Sequence, residues 1–159
     1  MLFDTPQVTS VGMGQIVLGR KADRLSAVLG SCIGLALYHT RLHVGALGHL
    51  VLPDSAGRQG CPGKFADTAI PAMLAQLEQA GVPRESLVAK VAGGACMFGK
   101  GGPLQIGEAN AEAVFQLLRK LGIRVAGRDV GGDKGRRVTL DCSTGQLLVE
   151  IVGQPVRIL

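Results

Sequence analysis

Two apolar runs flank a short polar break at residues 29–53, LGSCIGLALYHTRLHVGALGHLVLP. Runs of this length on either side of a polar turn predict a β-hairpin. Folding the segment about the Thr40/Arg41 midpoint sets Cys32 opposite His49, Gly34 opposite Leu47, Ala36 opposite Gly45 and Tyr38 opposite His43. Side chains alternate along a strand, so these residues share one face. The other face collects Ile33, Leu35, Leu37, Val44, Ala46 and Leu50, a set suited to a core. Directly opposed residues have Cβ atoms about 5 Å apart, within reach of an imidazole for a thiol.

The same reading places short strands at 15–18 and 25–29 before the hairpin. Residues 54–64, rich in Gly, Ser and Pro, form a loop. Residues 67–80 read as a helix: Ile70, Met73, Leu74 and Leu77 keep helical spacing, Asp67 is the expected N-cap, Pro71 falls in the first turn and Gly81 ends the helix. A strand at 87–92 leads into a glycine-rich loop, 93–107. A second helix, 108–121, carries Ala113, Val114, Leu117, Leu118 and Leu121 on its apolar face and stops at Gly122. Strands follow at 123–130, 137–141 and 146–152, the last two about a turn at 142–145, with one wet face. Strands that outnumber two helices favour an α+β layered sandwich of mixed and antiparallel sheet over a doubly wound one. The 159 residues are expected to form one domain, with 1–10 as an arm.

Composition narrows the function classes. Hydrophobic residues make up 47 % of the chain, too many for disorder, and the net charge is +5. The basic residues are scattered and not interleaved with aromatics, which argues against nucleic acid and leaves a solvated basic surface or an acidic protein partner. The N-terminus lacks the pattern of a signal peptide, and no apolar run approaches the length of a membrane span, so a protein of the cytoplasm, not embedded in membrane, is expected. Cys32, Cys61, Cys96 and Cys142 are widely spaced, with no CxxC pair, so neither metal nor disulfides are expected, and no cofactor is implied. Gly99-Lys100 is followed by two more glycines, so the glycine-rich loop is not a phosphate loop. It reads as a lid or substrate-binding loop, or as a plain connection.

A thiol beside an imidazole is a nucleophile with its base. Gly30, Ser31 and Gly34 around Cys32 leave space for a substrate backbone. The bland reading is a small core cysteine and an unrelated histidine, and these residues alone leave both open. A different cysteine acyl hydrolase, such as one for glutamyl esters or small amides, is a further alternative.

LGSCIG, then GHLVLPDS, KFADTAIPAML, AKVAGGACMF and IGEANAEAVFQLLRKLGIRVAGRDVGGDKGRRV run in that order over about residues 12–152. Together they resemble the CheD family of chemoreceptor glutamine deamidases. The resemblance implies that Cys32 attacks a protein glutamine through a thioester and that His49 is its base. It implies a hydroxyl residue six positions before the cysteine, usually Thr and here Ser26, as a third catalytic member. It further implies methyl-accepting chemotaxis receptors as substrates, a CheC-type phosphatase as a partner, and a cysteine-hydrolase fold akin to deamidating toxins. Cys96 stands where that family usually has Asn. A non-catalytic module that binds CheC or receptors is the alternative within the resemblance.

Overall fold

The computed structural model describes residues 7–97 and 105–159. The strands are β1 (Val8–Ser10), β2 (Ile16–Arg20), β3 (Arg24–Leu29), β4 (Ile33–His39), β5 (Val44–Leu50), β6 (Leu87–Gly93), β7 (Arg124–Val130), β8 (Arg136–Asp141), β9 (Leu147–Glu150) and β10 (Arg157–Ile158); the helices are α1 (Ala66–Gln79) and α2 (Ile106–Lys120). The strands form two five-stranded sheets, ordered β1-β3-β8-β9-β10 and β2-β5-β4-β6-β7. Each is mostly antiparallel with one parallel pair, β1 with β3 and β6 with β7. The expected α+β class with two main helices and mixed sheets is what the chain adopts.

Three layers result from the period-two pattern of β4 and β5. Ile33, Leu35, Leu37, Val44, Ala46 and Leu50 point to the helices, where they meet Ile70, Met73 and Leu77 of α1 and Val114 and Leu118 of α2. Ala36, Tyr38 and Leu47 point the other way, onto Leu25, Ala27 and Leu29 of β3, Val138 and Leu140 of β8, and Leu147 and Val149 of β9. The expected division of faces therefore holds.

The expected register does not. Gly34 pairs with His49, Ala36 with Leu47, Tyr38 with Gly45 and His39 with Val44. The loop spans 40–43, so the pairing is displaced by two residues from the expected one. His43, expected in the strand opposite Tyr38, instead has φ +54°. Its N–H donates to the His39 carbonyl at 3.1 Å, and Leu42 N–H donates to His39 Nδ1 at 3.2 Å. This turn holds four residues out of the ladder. A displacement of two leaves every side chain on its expected face.

The start of α1 also differs from expectation. Phe65 occupies the cap position and has no polar side-chain atom to cap with; the Ala66 N–H is taken instead by the Leu52 carbonyl at 2.9 Å. Asp67 lies inside the first turn, and its carboxylate accepts the N–H and hydroxyl of Ser55 at 2.9 and 2.7 Å. Pro71 consequently sits in the second turn, on the exposed side. At the N-terminus, Val8–Ser10 of the expected arm is strand β1; residues 1–6 lie outside the described residues. Of the expected lid loop, 98–104 lies outside them too.

Candidate functional site

Cys32 stands one residue before β4 and is 8 % exposed; His49, near the end of β5, is 4 % exposed. By strand alternation both lie on the side of β4 and β5 that faces the β1-β3-β8-β9-β10 sheet. His49 pairs directly with Gly34, so Cys32 is its diagonal neighbour on the same face and not its direct opposite. Diagonal neighbours are about 7–8 Å apart at the backbone, still within reach of long side chains. Gly34, which contributes no side chain, is the residue opposite the imidazole.

The imidazole is held by backbone. His49 Nδ1 lies 2.9 Å from the Val11 carbonyl oxygen. A carbonyl only accepts, so Nδ1 carries the hydrogen and Nε2 of the neutral ring keeps its lone pair. Nε2 has no bonded partner among the described residues. Val11 is fixed in turn by its own N–H, which donates to the Ser26 carbonyl at 2.7 Å. The turn after Val11 is closed by Gly14 N–H on the His49 carbonyl and His49 N–H on the Gln15 carbonyl, at 2.8 and 3.0 Å.

Ser26 reaches this arrangement through its main chain. Leu25, Ala27 and Leu29 of β3 are buried between the sheets, whereas Ser26 alternates to the face of Arg24 and Val28. Its hydroxyl lies 3.5 Å from the Thr139 hydroxyl on the neighbouring strand. Ser26 and His49 line one open cleft of about 490 Å³, rimmed by Val8, Met13, Val28 and Arg137. Val8, Met13 and Val28 are each more than 60 % exposed.

Around Cys32 the loop is pinned from three directions. Ala95 N–H donates to the Gly30 carbonyl at 3.0 Å, and Gly94 N–H to the Cys32 carbonyl at 2.9 Å. Asn110 Nδ2 donates to the Ser31 carbonyl at 3.0 Å and to the Val51 carbonyl at 2.9 Å. Close approach of the 93–95 segment requires glycine: Gly93 has φ +107°, and a Cβ there would collide with the Cys32 carbonyl oxygen. Burial pushes the Cys32 thiol above its ordinary pKa. Burial by itself therefore favours the neutral thiol over the thiolate.

The other three thiols have surroundings of their own. None of the four cysteines forms a disulfide. Cys61 is exposed and its Sγ lies 2.8 Å from the Gly14 carbonyl. Buried Cys142 is pushed up to about 12 by burial and by the nearby Asp23 and Asp141 carboxylates. The Cys96 N–H donates to the Gly132 carbonyl at 2.8 Å, beside a second cleft bordered by Glu108 and Asp133. Among the described residues no group of His, Cys, Asp and Glu is arranged to hold a metal ion, and no helix is long and apolar enough to cross a membrane.

Two residues of this arrangement escaped the sequence reading. Val11 acts through a carbonyl, which no side-chain pattern marks. Asn110 did carry a signal: it lies four residues before Val114, on the buried stripe of α2 with Gly107, Ala111 and Leu118. A polar amide on a core stripe is the exception that calls for a reason.

Residues 51–151 match the family described as CheD chemotactic sensory transduction. Over 156 residues the chain is 42 % identical to a probable chemoreceptor glutamine deamidase CheD of Symbiobacterium thermophilum, covering 93 % of this chain and 94 % of that protein. Proteins described in the same words are 40 % identical in Methanococcus vannielii, over 89 % of this chain and 94 % of theirs, and 40 % identical in Clostridium botulinum, over 90 % and 92 %. Similarity of this degree along nearly the whole chain, with the buried thiol and imidazole on one sheet face, makes the protein a member of the CheD family.

Proposed function

We propose that this protein is a chemoreceptor glutamine deamidase, with Cys32 as nucleophile and His49 as its base. The observation that carries the reading is the Nδ1 bond of His49 to the Val11 carbonyl, which leaves Nε2 basic on the face shared with Cys32. The Cys32 sulfur attacks the side-chain carboxamide carbon of a glutamine while its proton passes to His49 Nε2. The tetrahedral adduct collapses to a thioester, and His49 returns the proton to the departing nitrogen, which leaves as ammonia. Water, deprotonated by His49, then attacks the thioester; glutamate forms and the thiol is restored. Ser26 contributes by holding Val11 through its carbonyl.

The cleft beside His49, which Cys32 does not line, suits a protein substrate. It is open, and exposed Val8, Met13 and Val28 with one arginine rim it, a surface suited to another protein more than to a small amide. This weighs against the small-amide hydrolase reading. The two-sheet, two-helix sandwich with its nucleophile just before a strand suits the cysteine-hydrolase fold of deamidating toxins, and the chain is taken as one domain over 1–159. Methyl-accepting receptors as substrate, a CheC-type phosphatase as a second partner and a cytoplasmic location belong to the same proposal.

The test is incubation with cytoplasmic receptor fragments followed by peptide mass spectrometry. Conversion of amide to acid through the thioester adds about 1 Da at specific glutamines. No gain with any receptor of the same cell, or a gain that persists with Cys32→Ala, rejects the proposal.

A further inference from the structure

The Cys32 loop is anchored in an unusual way. The carbonyls of Gly30, Ser31 and Cys32 are all engaged, by Ala95 N–H, Asn110 Nδ2 and Gly94 N–H. The N–H groups of Ser31 and Cys32 donate to nothing among the described residues. Two of the three anchors come from main chain just after β6. The third is one side chain, 1 % exposed, on a helix that otherwise presents aliphatic and small residues to the core.

Its orientation is set by chemistry. Both partners of the Asn110 side chain are carbonyls, so the amide nitrogen must face them. Oδ1 is then turned elsewhere, and it is buried with no partner among the described residues. An unmet buried acceptor costs stability, about 1–3 kcal/mol as a class. An aliphatic residue at this position would avoid that penalty but could donate no hydrogen bond to either carbonyl.

A trans peptide bond converts that anchor into a direction. In a planar trans peptide, C=O and N–H point opposite ways. Holding the Ser31 carbonyl against α2 therefore turns the Cys32 N–H away from α2. The negative charge on the substrate oxygen develops beside the attacking sulfur, where a preoriented N–H stabilises it most. The second bond, to Val51, fixes the rotamer of Asn110 against the end of β5.

We infer that Asn110 is a positioning residue for deamidation: by fixing the Ser31 carbonyl it presents the Cys32 N–H as an oxyanion donor. The inference rests on the assignment of Cys32 as nucleophile. The neighbouring Gly107 fits the same role. A Cβ there would lie 2.5 Å from the Ala95 carbonyl oxygen, so its hydrogen lets the first turn of α2 press against the 94–95 segment.

The experiment compares wild type, Asn110→Asp, Asn110→Ala, Val114→Ala and Cys32→Ala. Asn110→Asp keeps the shape and loses the donor. Val114→Ala removes buried volume from the same helix stripe and controls for stability loss. Receptor deamidation gives kcat and KM, and iodoacetamide labelling of Cys32 against pH gives thiol reactivity. Alkylation displaces iodide and builds no oxyanion, so it does not need the donor.

Expected for both Asn110 variants is a fall in kcat of about 10²-fold, typical for loss of one oxyanion donor. KM should stay within about threefold and the labelling profile should overlay that of wild type. Unchanged kcat in folded protein overturns the inference. So does a parallel collapse of kcat and labelling, which would mean that Asn110 only maintains the loop. An equal kcat loss in Val114→Ala at matched melting temperature overturns it as well. Activity surviving in Cys32→Ala rejects the nucleophile assignment itself, and with it this inference; Cys32→Ala inactive with Asn110→Ala normal rejects only the inference.

Discussion

The helix-facing side of β4 and β5 carries Ile33, Leu35, Leu37, Val44, Ala46 and Leu50; the sheet-facing side carries Gly34, Ala36, Tyr38, Gly45, Leu47 and His49, with Cys32 at its margin. The first face is aliphatic and uniform, and it packs against helices whose side chains interdigitate. The second is built of small residues around one tyrosine, because another sheet lies against it. At Gly45 a Cβ would come within 2.9 Å of Tyr38 Cδ1 and 3.1 Å of the Leu37 carbonyl. Small residues let the sheets approach, and at the Cys32 and His49 end they leave space beside polar groups. One pair of strands thus supports a core on one side and the proposed catalytic pair on the other.

The sharpest way to break that division is to mutate across it. Cys32→Ala should abolish deamidation, since the proposed thioester forms on its sulfur, and should change stability by about 1 kcal/mol or less for the loss of one small buried atom. Deamidation and unfolding assays on the same sample check both halves.

His49→Ala should lower kcat by about 10²–10⁴-fold at neutral pH. Burial already raises the Cys32 pKa, so the thiolate fraction at a given pH is below that of a free thiol. Without the imidazole, activity should therefore rise only above the free-thiol pKa of about 8.5. Recovery should stay partial, because ammonia then departs without a proton donor. A pH–rate profile of this variant is the check.

On the opposite face, Leu35→Ala should cost about 2–5 kcal/mol in denaturant unfolding while the folded fraction keeps its kcat. Two glycines of β5 sharpen the contrast. Gly45→Ala meets backbone and a ring held by a 2.7 Å bond from Tyr38 Oη to the Cys142 carbonyl, and should cost about 1–3 kcal/mol. Gly48→Ala, on the helix side, meets chiefly Met73 Sδ at 2.8 Å and Leu50 Cδ1 at 3.0 Å. Those are ends of flexible chains, so about 1 kcal/mol or less is expected. Equal costs in thermal unfolding would erase the contrast. The smallest effect is expected of Ser26→Ala, about twofold in kcat, since its carbonyl and not its hydroxyl holds Val11.

The two faces were legible in the sequence because alternation fixes them whatever the register. The register was not, because it depends on how the turn at 40–43 closes, and a left-handed His43 bonded back to His39 is not encoded by hydrophobic pattern. The error was an even number of residues, which is why Cys32 and His49 stayed on one face while ceasing to be direct partners. Helices α1 and α2 were recovered to within two residues at each end because their apolar spacing is regular. Their details were less visible: Asp67 is engaged by Ser55 from a loop, and Asn110 bonds to two segments distant in sequence. Strand β1 is three exposed residues paired along one edge, and its one apolar residue, Val8, is itself exposed, so no buried alternation betrays it.

The support of His49 by a main-chain carbonyl has a consequence for mutational scanning. Every substitution at Val11 keeps the carbonyl that holds Nδ1. A side-chain scan would therefore score Val11 by its burial, 2 % exposed, and would register a packing residue. Replacing the Val11–Gly12 amide with an ester weakens that carbonyl as an acceptor and alters no side chain; it also removes the Gly12 N–H that donates to Gln15 Oε1 at 2.7 Å, a loss that Gln15→Ala reproduces as a control. Such a change would expose a contribution to the base that the twenty amino acids hide.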